Sequence, residues 1–211
     1  MDLSNLRKEY KLKSLDKKDL DSDPIIQFEK WFKEAQEAKI YEPNAMALAT
    51  SDTSGCPSCR MVLLKQISRE GFLFFSNRTS RKVGQLQERP CAAALFFWKE
   101  LERQVHLEGP VKQVSKEIAA IYFQKRPRNS QLAVWASKQG TTLQERSDLE
   151  ESFKHYAELF KDREIPSPEW WTGFTLQPIR MEFWQGRESR LHDRFIYLKE
   201  KDSWILTRLS P

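Results

Sequence analysis

The run AMALATSDTSGCPSCRMVLLKQISREGFLFFS, residues 45–76, decides the fold. Three short apolar stretches, Ala45–Thr50, Cys59–Ile67 and Phe72–Ser76, are separated by SDTSG and SREG, which carry the glycine and small polar residues that turns use. Apolar runs this short and this closely punctuated read as an antiparallel meander, because a helix needs about ten or more residues to form its stripe.

Outward from that meander the same pattern continues. CAAALFFW (91–98) and RQVHLEGPVKQV (103–114) read as two strands with a turn at Lys99 and Glu100, and FTLQPIRMEFW (174–184), HDRFIYLKE (192–200) and SWILTRL (203–209) as three more, about eight in all. Helical periodicity interrupts them. Asp23 and Pro24 form an N-cap and N1 pair, and Ile25, Phe28, Trp31, Phe32, Ala35 and Ala38 carry a helix to about Ile40. Short helices are expected over Ser80–Glu88, from a Ser115 cap through Phe123, over Ser130–Lys138 and over Thr142–Phe160. The expectation is an α+β protein, an antiparallel barrel with flanking helices forming one domain over residues 23–211. Residues 1–22, rich in Lys and Asp without apolar period, read as a mobile arm.

Composition narrows the class. In 211 residues, 39% hydrophobic and 12% aromatic content argues against disorder, and only seven glycines, none spaced as GxGxxG, argue against a doubly wound nucleotide fold. No run of about 18 apolar residues occurs and the N-terminus has no apolar signal core, so a cytoplasmic protein without membrane partner is expected. Three cysteines, Cys56, Cys59 and Cys91, cannot build a disulfide framework. The CPSC spacing imitates a redox motif, but it falls between strands and reads as a hairpin turn; no metal site is expected.

Cations gather in four places. Arg60 and Lys65 bracket an apolar strand with opposite parity, so both can serve one site only near a strand end or a bulge. Ser80-Arg81-Lys82 opens a helix, where free N–H groups and two cations together suit a phosphate, since the cations run against the dipole unless an anion offsets them. Tyr122, Arg126, Arg128 and Ser130 suit a phosphate monoester or, alternatively, a basic helix C-terminus. In RLHDR, strand alternation puts Arg190, His192 and Arg194 on one face, around a bound anion or against cross-strand acids. A nucleic-acid groove is disfavoured, since acids are interleaved throughout and the net charge is only +5.

RMVLLK (60–65), NRTSRK (77–82), LERQV (101–105), YFQKRPRNSQ (122–131) leading to SKQ (137–139), FWQGRESRLHDR (183–194) and RLSP (208–211) follow in unbroken order. With these motifs the chain resembles the pyridoxamine 5′-phosphate oxidase family from about Asp23 to Pro211. The resemblance implies a homodimeric split β-barrel binding FMN at the subunit interface, and an enzyme that oxidises pyridoxamine or pyridoxine 5′-phosphate to pyridoxal 5′-phosphate while reducing oxygen to hydrogen peroxide. Carried over by motif, FMN is held by Arg60, Met61, Val62, Leu63, Leu64, Lys65, Phe75, Ser76, Arg81, Lys82, Gln104, Gln139, Gly140, Trp184 and Arg194, with Gln104 and Trp184 from a different subunit or layer than the phosphate ligands. Substrate phosphate falls to Lys65, Tyr122, Arg126 and Ser130. Arg190 and His192 lie over the pyridine ring as catalytic candidates, and Arg7 and Tyr10 belong to an arm that can close over the site. Phe75 and Gly140 depart from the family pattern, each losing a side-chain donor. The rival readings are a split-barrel FMN protein with another substrate, a flavin or pyridoxal phosphate carrier, and, remotely, a nucleic-acid module. A second phosphate cradle argues against the carrier.

Overall fold

A computed structural model describes residues 1–211. Ten strands form: β1 (Ala45–Ser51), β2 (Pro57–Leu63), β3 (Gln66–Ser68), β4 (Gly71–Asn77), β5 (Cys91–Trp98), β6 (Arg103–Gln113), β7 (Trp171–Leu176), β8 (Arg180–Gln185), β9 (Asp193–Glu200) and β10 (Ser203–Leu209). Five helices accompany them: α1 (Pro24–Glu37), α2 (Arg81–Glu88), α3 (Lys116–Gln124), α4 (Arg128–Ala136) and α5 (Arg146–Leu159).

The two strands beyond the expected eight come from splitting two runs. The Cys59–Ile67 run breaks at Leu64 and Lys65, where Leu64 N–H turns to Asn44 O and Lys65 N–H to Leu73 O. The 174–184 run breaks at Pro178, which has no N–H for a ladder. The expected helix from Thr142 starts only at Arg146, because Glu145 and Asp148 form the capping pair there.

All pairings are antiparallel. One path runs β10-β9-β8-β6-β5-β1-β2, and β7 pairs the C-terminal half of β6 and carries β4 and β3. The bend from β2 into β3 brings the two paths together, which curls the sheet into a barrel split where β8 and β7 diverge along β6. Met46, Leu48, Phe72, Phe74, Phe96 and Leu107 fill the interior, and each is fully buried. The amphipathic α1, capped by the Asp23 carboxylate accepting from Ile25 N–H, plugs one end. Its Phe28 meets Phe72 and Phe96 edge-on at 4.9 Å, and a Phe28→Ala hole there costs about 3–5 kcal/mol.

Between β6 and β7, α3, α4 and α5 enclose a second cluster of Phe123, Leu132, Val134, Phe160 and Ile165. Arg128 belongs to this insert and to no phosphate site. Its guanidinium donates to Phe160 O and to Arg163 O (3.0 Å) and so caps the end of α5.

Residues 1–22 lie along the barrel. Glu102, buried and left-handed at φ 53°, accepts from Lys11 N–H (2.9 Å) and Leu12 N–H (3.1 Å). Leu15 enters the core, its N–H donates to Asp193 (3.0 Å), and Tyr197 O–H donates to Asp21 O (2.6 Å). No helix is long and apolar enough to cross a membrane.

Candidate active site

The hairpin of β1 and β2 turns over Asp52–Cys56, so the CPSC run supplies a turn end and the first strand residues. From there β2 leads along the edge of a cavity of about 730 Å³ that lies between β2, β4, the start of α2 and the helical insert. Arg60, Met61, Val62, Leu63, Lys65, Phe75, Ser76, Lys82, Tyr122, Arg126, Ser130 and Gln139, all expected from sequence, line it. Lys65 joins Arg60 because it sits in the corner beyond β2, where strand parity no longer applies. None of the 19 lining residues is acidic.

Two cationic groups stand in this cavity. At one, Lys82 is buried in the first turn of α2 and donates to Ser76 Oγ at 3.0 Å. Burial, then the charge of Arg60, pushes the Lys82 ammonium down to about 8. The Ser80 hydroxyl is spent on Asn77 O (2.7 Å) and makes no cap bond, which leaves the first N–H groups of α2 free. Arg60 donates to Leu48 O (3.0 Å), Thr50 Oγ1 (2.7 Å) and Ser58 Oγ, without a carboxylate partner.

At the other, Arg126 lies with its guanidinium 4.5 Å from the Trp171 ring centroid, and its Nη1 is buried with no hydrogen-bond partner. Burial lowers its pKa. Tyr122 stacks on Phe75 at 4.0 Å and 7°. Phe75 can lie flat because Gly173 is its cross-strand partner; a Cβ there would stand 2.7 Å from the ring. A packing role thus replaces the donor that Phe75 lacks.

Three residues of the same motifs do not line this cavity. Leu64 points into the core. Arg81 is exposed, though its charge lowers the Arg60 pKa. Gly140, at φ 91°, lies beside Thr79, whose hydroxyl donates to Gln139 O at 3.1 Å.

The remaining expected residues gather elsewhere. Gln104, Trp184 and Arg194 line a hollow of about 300 Å³ with Leu95, His106 and Glu182. Arg7, Tyr10, Arg190 and His192 line another of about 280 Å³. The Tyr10 ring meets Trp184 edge-on at 5.6 Å and His192 at 5.9 Å, and Trp184 lies 4.6 Å from His192.

The expected shared strand face of Arg190, His192 and Arg194 is corrected here. Glu188–Arg190 is a 3₁₀ turn with Ser189 and Arg190 at φ 54° and 61°, and β9 begins only at Asp193. Left-handed backbone breaks the period of two. It is thus Arg190 that leaves the strand face; His192 lies against Tyr10 and Trp184, and Arg194, the cross-strand partner of Trp184, pairs with Glu182 at 2.8 Å and donates to Ser210 O at 2.9 Å. His192 Nδ1 accepts from Arg187 N–H at 3.1 Å, which leaves the neutral-ring proton on Nε2. Burial and the adjacent Arg190 charge lower its pKa, against a smaller opposing pull from Asp193.

Both assemblies share one outer sheet face. Met61, Ala47, Leu95, His106 and Glu182 form one cross-strand row, and Phe97, Gln104, Trp184 and Arg194 form the next. Met61 is 63% exposed and, in the next row, Phe97 49%, so Met61, Ala47, Leu95 and Phe97 form an apolar stretch of this face.

Sequence reasoning passed over Glu182, which holds Arg180 (3.0 Å) as well as Arg194. Strand alternation puts Glu182 and Trp184 on one face, but only register reveals its partners. It also passed over Thr50, Ser58 and Gln85 behind Arg60, whose spacing in sequence carries no signal.

Residues 32–159 match the family model described as pyridoxamine 5′-phosphate oxidase, and residues 171–211 match the pyridoxine 5′-phosphate oxidase C-terminal dimerisation region. The pyridoxine/pyridoxamine 5′-phosphate oxidase of Aliarcobacter butzleri is 48% identical over 212 residues, covering 100% of both chains. That of Rubrobacter xylanophilus is 46% identical, covering 100% of this chain and 97% of its own. The crystal structure of PhzG from Burkholderia lata 383, in complex with tetrahydrophenazine-1-carboxylic acid, is similar with a TM-score of 0.89 at 29% identity, over 95% of this chain and 99% of that one. A structure described as a pyridoxamine 5′-phosphate oxidase-related, FMN binding protein from Nostoc punctiforme shares the fold, with a TM-score of 0.72 at 15% identity, over 91% of this chain and 100% of that one. The chain belongs to the pyridoxine/pyridoxamine 5′-phosphate oxidase family.

Proposed function

We propose that this protein is an FMN-dependent oxidase that converts pyridoxamine 5′-phosphate and pyridoxine 5′-phosphate to pyridoxal 5′-phosphate. Pyridoxine phosphate and O2 give pyridoxal phosphate and H2O2; the amine additionally consumes water and releases ammonia. The observation that carries the reading is a single acid-free cavity with two cationic groups, Arg60 with Lys82 and Arg126 over Trp171, and with Lys65 also in its wall. One phosphate monoester needs one cradle. Cofactor and substrate together need two.

The residues fit FMN on physical grounds. Buried Lys82 and uncompensated Arg60 repel each other, a cost that a phosphate dianion removes, and the uncapped start of α2 adds N–H donors. The orphaned Nη1 of Arg126 is likewise a buried donor waiting for the second phosphate.

Two copies of the chain complete each site. The apolar row from Met61 to Leu95 is the seat of the second subunit, whose Gln104, Trp184 and Arg194 then face the flavin and whose Arg190 and His192 face the substrate. Bound FMN supplies the hydride acceptor. Arg126 forks the substrate phosphate, while Tyr122 and Ser130 each give one hydrogen bond. His192, neutral near pH 7, directs its Nε2 proton outward, and Arg190 orients the ring. The N-terminal arm is the lid: Tyr10 rests on Trp184 and His192, and excluding water protects the hydride step. With three free cysteines, all exposed, the enzyme suits the reducing cytoplasm.

The test is direct. The purified protein is expected to be yellow, and pyridoxine 5′-phosphate in air to yield pyridoxal phosphate and peroxide in equal amounts, with Arg190→Ala greatly slowed. A yellow protein inert toward both phosphates would sink the oxidase reading; a colourless one that rejects added FMN would sink the cofactor.

A further inference from the structure

We infer that Gln85 is a positioning residue for the cofactor phosphate, acting by holding Arg60 through two hydroxyls while leaving its charge uncompensated. The inference rests on the cofactor reading above.

Gln85 projects from α2 into the barrel wall and is 4% exposed. Its Oε1 accepts from Thr50 Oγ1 at 2.6 Å and from Ser58 Oγ at 2.7 Å. Those same two oxygens accept from Arg60, Thr50 Oγ1 from Nη1 at 2.7 Å and Ser58 Oγ from Nη2. A hydroxyl has one proton, so the direction of both relays is fixed: guanidinium to hydroxyl, hydroxyl to amide oxygen. The two arms of Arg60 are thereby tied at both Nη atoms, and Leu48 O takes a third bond at 3.0 Å.

The amide bears a cost in this orientation. Gln85 Nε2 is buried without a partner, and turning the amide over would point N–H groups where acceptors are needed. A carboxylate would terminate the same two relays without an orphaned N–H, and would pair with Arg60 through them. The position instead carries a neutral acceptor. Around Arg60 the charged groups are Lys82 and Arg81 from α2, with Cys59 beside it on β2; Asp52, at the β1–β2 turn, is drawn to Arg81. No acid lines the cavity, so its charged side chains are all cationic. Gln85 ties down the cation and leaves the field for the incoming phosphate.

The experiment compares Gln85→Glu and Gln85→Met with wild type, each as full-length apoprotein. Melting temperature, FMN dissociation constant by flavin fluorescence, its pH dependence, and stabilisation by inorganic phosphate are measured. For Gln85→Glu the expected result is a melting temperature at or above wild type together with FMN binding weaker by about tenfold or more. The affinity loss that accompanies Lys82 deprotonation should also move to higher pH, since a new anion raises a neighbouring ammonium's pKa. Gln85→Met ends the relays without adding charge, so it should weaken FMN severalfold and leave that inflection in place. A Gln85→Glu protein that binds FMN like wild type overturns the inference. So does one whose melting temperature and affinity fall together, with Gln85→Met behaving identically and no shift of the inflection. A wild type that binds neither FMN nor phosphate overturns the cofactor reading itself, a result the first two do not produce.

Discussion

The Arg126 guanidinium lies over the Trp171 ring at 4.5 Å, with its Nη1 buried and unpaired. A cation held on an aromatic face with no anion beside it is a donor prepared for a ligand. Replacing Arg126 with Lys keeps charge but loses the fork and the stacking. Steady-state kinetics should give a KM for pyridoxine phosphate raised by about 100-fold, equivalent to about 3 kcal/mol. FMN content should not change, and an unchanged KM would remove Arg126 from the phosphate site.

Lys82 makes cofactor affinity sensitive to pH. Its ammonium is pushed down to about 8 in the free protein, so FMN binding should weaken as pH rises from 7 to 9, and flavin fluorescence titrations measure this. Apoprotein stability moves the other way. Between about 8 and the ordinary 10.5 the unfolded chain binds the extra proton, so raising pH through that window stabilises the folded apoprotein. Lys82→Met should abolish both trends.

The His192 ring is held neutral by burial and by Arg190, its pKa below the ordinary 6.5. Activity that depends on the neutral ring is lost as pH falls through this lowered value. In Arg190→Ala the ring loses a repelling neighbour, so its NMR titration midpoint should rise. A midpoint that stays or falls would show that the guanidinium does not act on the ring.

The apolar row that bears Met61 predicts joint loss of assembly and cofactor. Met61→Glu puts a charge on a 63% exposed position of that face, which the monomer tolerates within about 0.5 kcal/mol. Sedimentation should report a monomer, and FMN retention should fall with it. A flavin-loaded Met61→Glu monomer would place the whole cofactor site within one chain.

Glu102 anchors the arm by accepting from Lys11 and Leu12. Glu102→Ala strands two backbone N–H groups, a local cost of about 1–3 kcal/mol. Faster hydrogen exchange at Lys11 and Leu12, and proteolytic release of the arm, should follow while the barrel stays intact.

Most strands and the starts of α1, α2 and α3 were legible in the sequence because they depend on local patterns, alternation, caps, and punctuation by Gly and Pro, whereas the expected cavity residues came from the motifs that resemble the family. The Asp23-Pro24 start of α1 and the Ser80 start of α2 are purely local signals, and both elements begin there. Where backbone departs from a repeating period, sequence reasoning fails. RLHDR was read as strand, but Ser189 and Arg190 take left-handed backbone, which removes Arg190 from the strand while His192 and Arg194 both stay beside Trp184. Nothing in the pentapeptide announces that departure, since a non-glycine residue at positive φ is held by its surroundings.

The sequence by itself determined which residues are cationic, which faces are apolar and where elements start, since these follow from side-chain chemistry and short-range sterics. Only the tertiary structure decided that Gln85 stands behind Arg60, that Glu182 holds Arg194, and that the motifs divide between two assemblies on one sheet face. Those relationships depend on strand register and on contacts between residues far apart in the chain, such as Ser58 with Gln85 and Gln104 with Trp184, which no local pattern specifies.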